Sequence, residues 1–148
     1  MSMNRSWILS LAALALLSQC PSTPAQAEPR IEKIDLFEAG TGGYKLYRIP
    51  GIVVTAKGSV LAYCEARKSS GSDWDAIDLV VRRSVDGGKT WSPQRKLASV
   101  DGPRNPSAMK VKSAKADDRT HNNPVAIVDA KSGAVHLLFC FEYMRCFH

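Results

Sequence analysis

The sequence has no low-complexity tract, which argues against a disordered or fibrous chain. At 45% hydrophobic and 23% charged residues its composition is globular. Its 148 residues suffice for one ordinary domain, given about 100–200 residues per domain. No amphipathic helical stripe is apparent, which points away from a helical bundle. The apolar run at 7–17 is shorter than the ~20 residues a membrane-spanning helix needs. There is no CxxC pair, and His121, His136 and His148 lie in no ligand spacing, so no metal site is expected. No nucleic-acid-binding motif is present.

The N-terminus reads as a secretory signal. Arg5 supplies a basic start, 7–17 the apolar segment, and Ala25 and Ala27 the small residues that a signal peptidase reads. Cleavage is expected before Glu28, giving a signal peptide at 1–27, a mature chain at 28–148, and a secreted or periplasmic product with no transmembrane segment. Cys20 follows Leu17, Ser18 and Gln19, but Gln19 stands where a lipoprotein signal wants a small residue. Loss of 1–27 removes Arg5 and no acid, taking the formal charge from +6 to +5. Such a surface suits a polyanionic partner or simply keeps the protein soluble. Cys64, Cys140 and Cys146 remain, an odd number, so at least one has no partner within the chain. Burial as small hydrophobes in strands is the expectation for all three.

The mature chain alternates short apolar runs with turn signals. Strands are expected at 34–38, 51–55, 59–65 and 77–83, with an extended segment at 44–50 in which Pro50 biases Ile49 away from helix. Gly58 closes the first hairpin. The run at 59–65 fits a strand buried on both faces. A polar loop covers 68–72, a tight turn 85–89, and a long surface excursion 98–122. A second hairpin, 124–128 and 134–141, echoes the first. The pattern is all-β, a sandwich, barrel or propeller, with the echo favouring repeated blades. The apolar stretch 137–148 has no polar tail, and so short a set of strands would leave an apolar edge exposed. The chain is therefore expected to be a fragment or a truncated reading frame.

Two motifs identify the pattern further. Ser84-Val85-Asp86-Gly87-Gly88-Lys89-Thr90-Trp91 has the form S-x-D-x-G-x-T-W. Asp86 can accept backbone N–H groups across its own turn, Gly88 takes a conformation other residues avoid, and Trp91 packs the turn onto the sheet. These local roles make it a structural clip. Upstream, Tyr47-Arg48-Ile49-Pro50 opens an apolar strand. Together the two resemble the Asp-box and the FRIP/YRIP motif of bacterial sialidases, six-bladed β-propeller glycoside hydrolases, of which this chain would cover about the first blade and part of the second.

That resemblance implies residue roles. Arg48 would grip the carboxylate of sialic acid, which a planar, permanently charged guanidinium suits. Within Glu65-Ala66-Arg67-Lys68-Ser69-Ser70-Gly71-Ser72-Asp73-Trp74-Asp75, Arg67 would face the sugar and Asp73 would be the acid/base in its loop. Asp75 and Asp78 are rivals to Asp73, Asp78 the weaker because it falls in a strand. Asn123, before Pro124, would face the sugar at the start of the second blade, or would simply form an Asn-Pro turn. The partners implied are sialylated glycans, and no metal or organic cofactor is implied. The family's nucleophile is a Tyr activated by a Glu, since a neutral phenol meets no like charge at a substrate that carries its own carboxylate. That pair and two further arginines lie later in the family. Glu142 and Tyr143 take no such role: read as neighbours on a strand they would point to opposite faces, and they fall too early. The reading is an exo-sialidase acting with retention, inactive as this chain alone. The alternative is a non-catalytic glycan-binding propeller.

Overall fold

The computed structural model describes residues 31–69, 72–106, 115 and 117–148. The expected signal peptide at 1–27 lies outside them. Among the described residues there is no helix, and none of them forms a helix long and apolar enough to cross a membrane.

Seven strands form two antiparallel sheets. β1 (Leu46–Val54), β2 (Val60–Arg67), β3 (Ile77–Ser84) and β4 (Arg95–Ala98) form the first, in the order β1-β2-β3-β4. β5 (His121–Val128), β6 (Val135–Phe141) and β7 (Arg145–Phe147) form the second. The expected hairpins are present, and the two segments 44–50 and 51–55 prove to be one strand. The segment 34–38 is not a strand: it is irregular chain whose Phe37 packs beside Tyr47 on the first sheet. β7 was not foreseen. Its three residues carry too little pattern to be read alone and are defined by pairing with β6.

β2 and β3 are central strands and almost wholly buried, which explains the apolar runs Val60–Cys64 and Leu79–Val81 within them. One face of the first sheet sets Cys64, Ala66 and Val80 against Tyr44, Phe37 and Tyr47. The opposite face meets β5: the Tyr63 hydroxyl accepts the Ala126 N–H at 3.0 Å, and Ile77 forms a parallel bridge with Thr120. The second sheet is filled by Phe139, Phe141 and Phe147 around His121.

The turn between β3 and β4 satisfies itself as its residues require. Ser84 Oγ donates to Asp86 Oδ1 at 2.7 Å and accepts Gly88 N–H at 2.8 Å. Asp86 Oδ1 accepts Thr90 N–H at 2.9 Å, and Trp91 Nε1–H reaches Gly88 O at 2.9 Å. Gly88 has φ 94°. Hydrogen bonds from Thr90, first from its hydroxyl and then from its backbone, hold the Asp86 carboxyl well below the ordinary range.

Candidate functional site

β1 and β5 each contain a bulge at the residue pair ending in proline. The β1–β2 register shifts between Arg48 and Gly51, and the β5–β6 register between Asn122 and Val125. The residue before each proline is left-handed: Ile49 has φ 53° and Asn123 φ 54°. Proline excludes the right-handed helical region for its predecessor, as the sequence reading expects, but the backbone answers with positive φ rather than extended chain. Asn tolerates this conformation. A β-branched Ile does not, and is strained there.

The bulges bring the sequence-expected residues to one corner. Arg48 pairs with Glu65 across β1 and β2, and Arg67 lies two residues beyond Glu65, on the same face. Arg67 is 6% exposed. Its Nε and Nη2 donate to Glu65 Oε2 at 3.1 and 2.6 Å, and its Nη1 meets Asp73 Oδ1 at 2.5 Å. Burial alone would lower the Arg67 pKa, but its bonds to Glu65 and Asp73 outweigh this and raise it. Arg48 Nη1 approaches the same Asp73 oxygen at a looser 3.4 Å, with side chains 50% and 58% exposed. The other Glu65 oxygen accepts the Asn123 backbone N–H at 2.9 Å. One chain of contacts thus joins Arg48, Asp73, Arg67, Glu65 and Asn123.

The three aspartates differ. Asp73 stands at the tip of the β2–β3 loop, which Lys68 N–H closes onto Ala76 O at 3.1 Å. Asp75 is buried, with Ser69 Oγ donating to its carboxylate and Thr120 Oγ1 to its carbonyl. Asp78 is buried on the other face, receiving Tyr44 OH at 2.7 Å and pairing with Lys96 at 2.9 Å. Only Asp73 offers its carboxylate to solvent beside the two arginines.

Three residues of this corner escaped the sequence reading. Glu65 is fully buried and fixes both Arg67 and the Asn123 backbone. Its i, i+2 spacing from Arg67 was the available signal. The Trp74 and Tyr143 rings meet at a 4.7 Å centroid distance, tilted by 57°, beside Asp73. Tyr143 is not on a strand: Glu142 and Tyr143 form the β6–β7 turn, with φ 54° and 53°. Glu142 is buried, its carboxylate accepting Thr120 N–H at 2.8 Å and Asn105 N–H at 2.9 Å. Burial raises the Tyr143 phenol pKa, the charges of Asp73 and Glu65 add to this, and Asn122 and Arg67 oppose it. Nothing in the sequence alone joins residue 143 to residue 74. Among the described residues no three His, Cys, Asp or Glu side chains gather as a metal ion would require.

Antiparallel blades with an arginine–carboxylate corner at the bulged ends of their first strands define a partial β-propeller. No family model matches the chain. It is 33% identical over 97 residues to a sialidase of Micromonospora viridifaciens, covering 59% of this chain and 15% of that protein. It is 41% identical over 63 residues to a sialidase of Bacteroides fragilis, covering 42% of this chain and 12% of that protein. The solved structure of the Hadza microbial sialidase Hz136 matches with a TM-score of 0.56 and 30% identity, over 70% of this chain and 19% of that one. The chain is thus similar, in sequence and in fold, to part of these sialidases. It spans less than a fifth of the length of each of these relatives.

Proposed function

We propose that this chain forms one wall of an exo-acting sialidase site that releases terminal α-linked sialic acid from glycoconjugates with retention. The observation that carries the reading is Asp73: an exposed carboxylate set between the guanidiniums of Arg48 and Arg67. Arg48, half exposed and loosely held, would exchange Asp73 for the substrate carboxylate. Asp73 would then protonate the leaving oxygen and later activate water. Arg67, held by Glu65, and Asn123 would contact the ring substituents. The 148 residues alone are expected to be inactive, since no Tyr–Glu pair within them takes the nucleophile's place.

The test uses the domain extended to the length of its relatives, with Asp73→Asn, Asp75→Asn and Arg48→Ala each assayed on a natural and an activated aryl sialoside. Asp73→Asn should lower kcat by about 10²–10⁴-fold on the natural substrate. The loss should shrink on the aryl sialoside, whose leaving group needs little protonation. Arg48→Ala should weaken binding and turnover on both, because the carboxylate is gripped in ground and transition states alike. Leaving-group dependence in Asp75→Asn instead would move the acid/base by two residues. Its absence from both would favour the glycan-binding alternative.

We also propose export, on the strength of the apolar run and of Ala25 and Ala27. N-terminal sequencing of secreted material should begin at Glu28. A lipid-modified Cys20 would refute this cleavage.

A further inference from the structure

Cys140 on β6 and Cys146 on β7 are direct cross-strand partners. Opposed residues in an antiparallel ladder have Cα atoms about 4.5–5.5 Å apart and project from the same face. That separation lies within the ~4.4–6.8 Å a disulfide bridges without backbone movement. The two sulfurs stand 3.0 Å apart as thiols. Cys146 is exposed and Cys140 half-buried, so reagents reach the pair. Cys64 is buried in the first sheet, where desolvation, with the Glu65 charge adding to it, pushes its thiol up to about 12.

The segment between the two cysteines needs holding. Its turn places Glu142 and Tyr143 consecutively at positive φ, a conformation that two-residue hairpin turns usually assign to Asn and Gly. β7 is only three residues long. Yet this turn sets the Glu142 carboxylate on Thr120 N–H and Asn105 N–H and lays Tyr143 against Trp74.

We propose that Cys140 and Cys146 form a cross-strand disulfide that clasps the β6–β7 hairpin and holds its strained turn against the Asp73 loop. The oxidant is a small-molecule disulfide such as oxidised glutathione. The Cys146 thiolate attacks one sulfur of it, forming a mixed disulfide and expelling one thiolate. Cys140 loses its proton and attacks the Cys146 sulfur, breaking the mixed disulfide and releasing the second small thiol. The protein gives up two electrons and two protons, and one small disulfide becomes two thiols. Cys146 attacks first because it is exposed, whereas burial and then the Cys146 neighbour push the Cys140 thiol up to about 11.

The 148-residue chain is equilibrated with mixtures of oxidised and reduced glutathione, quenched in acid, and alkylated in denaturant. Trypsin cuts after Arg145, between the cysteines, so the disulfide appears as two peptides joined until reduction. The expected product is lighter by two hydrogen atoms, carries the Cys140–Cys146 linkage, and is alkylated twice, at Cys20 and Cys64. In Cys146→Ser all three remaining cysteines should be alkylated. The same titration in denaturant measures the pairing expected from chain proximity alone. The native equilibrium constant should exceed it by at least about tenfold, because a fold that the bond stabilises must favour the bond equally. Equal constants with and without denaturant, or a linkage that includes Cys20 or Cys64, would overturn the proposal.

Discussion

At the residue scale the site depends on one uncomfortable position. Ile49 is β-branched, 41% exposed and left-handed. It packs too little to offset a conformation that costs about 1–3 kcal/mol. Asn123 occupies the equivalent position of the second sheet without that penalty. Ile49→Asn is therefore expected to raise stability by about 1 kcal/mol, read as an increase in Tm. A decrease would mean that Ile49 contributes packing which its exposure conceals. Arg48, Arg67 and Asp73 were legible in the sequence through the resemblance carried by the flanking motifs at 47–50 and 84–91, since charged loop residues by themselves read as solvated. The strain was not legible, because φ at Ile49 follows from the register of β1 on β2.

At the element scale the turn from Ser84 to Trp91 was fully readable, since each of its bonds joins residues at most four apart. Its pH behaviour follows. The Asp86 carboxyl lies below its ordinary range in the folded chain, so the stability it adds is complete above the unfolded carboxylate pKa of about 3.9 and is lost as pH falls below it. Asp86→Ala should lower Tm by about 4–8 °C at neutral pH. The gap from the wild type should hold through the neutral range and narrow below about pH 4. A gap unchanged down to pH 2 would show that the Asp86 charge adds nothing to the turn. β7 and the turn before it could not be read this way. Glu142 and Tyr143 are poor turn residues by local preference, and partners at Thr120, Asn105 and Trp74 override it.

At the scale of the whole molecule the two sheets are joined across the Tyr63 ring. Tyr63 is buried, accepts the Ala126 N–H, and passes so close over Gly51 that a β-carbon there would overlap its ring. Gly51 is needed for this approach, not for its φ. Gly51→Ala is expected to destabilise the chain by about 1–3 kcal/mol, since the ring must leave a packed position, and to expose the Ala126 amide. Denaturant titration measures the first, and hydrogen exchange at Ala126 the second. An unchanged exchange rate would mean that the sheets dock without this ring. Apolar side chains also remain in solvent along β1 and β5: Ile52 and Val54 on the first, Val125 and Ile127 on the second. Their i, i+2 spacing places each pair on one face of its strand.

The sequence by itself determined the all-β architecture, the two hairpins, the clip at Asp86 and the resemblance to sialidases, because strand period, turn chemistry and short motifs are encoded over a few neighbouring residues. Tertiary structure alone decided which of three aspartates faces solvent between the arginines, since that depends on Ser69 and Thr120 occupying Asp75, and on Tyr44 and Lys96 occupying Asp78. It also decided that Glu65 braces Arg67 and Asn123 together, and that Tyr143 reaches Trp74. Most of these contacts join residues far apart in the chain, which only the pairing and packing of the strands brings together.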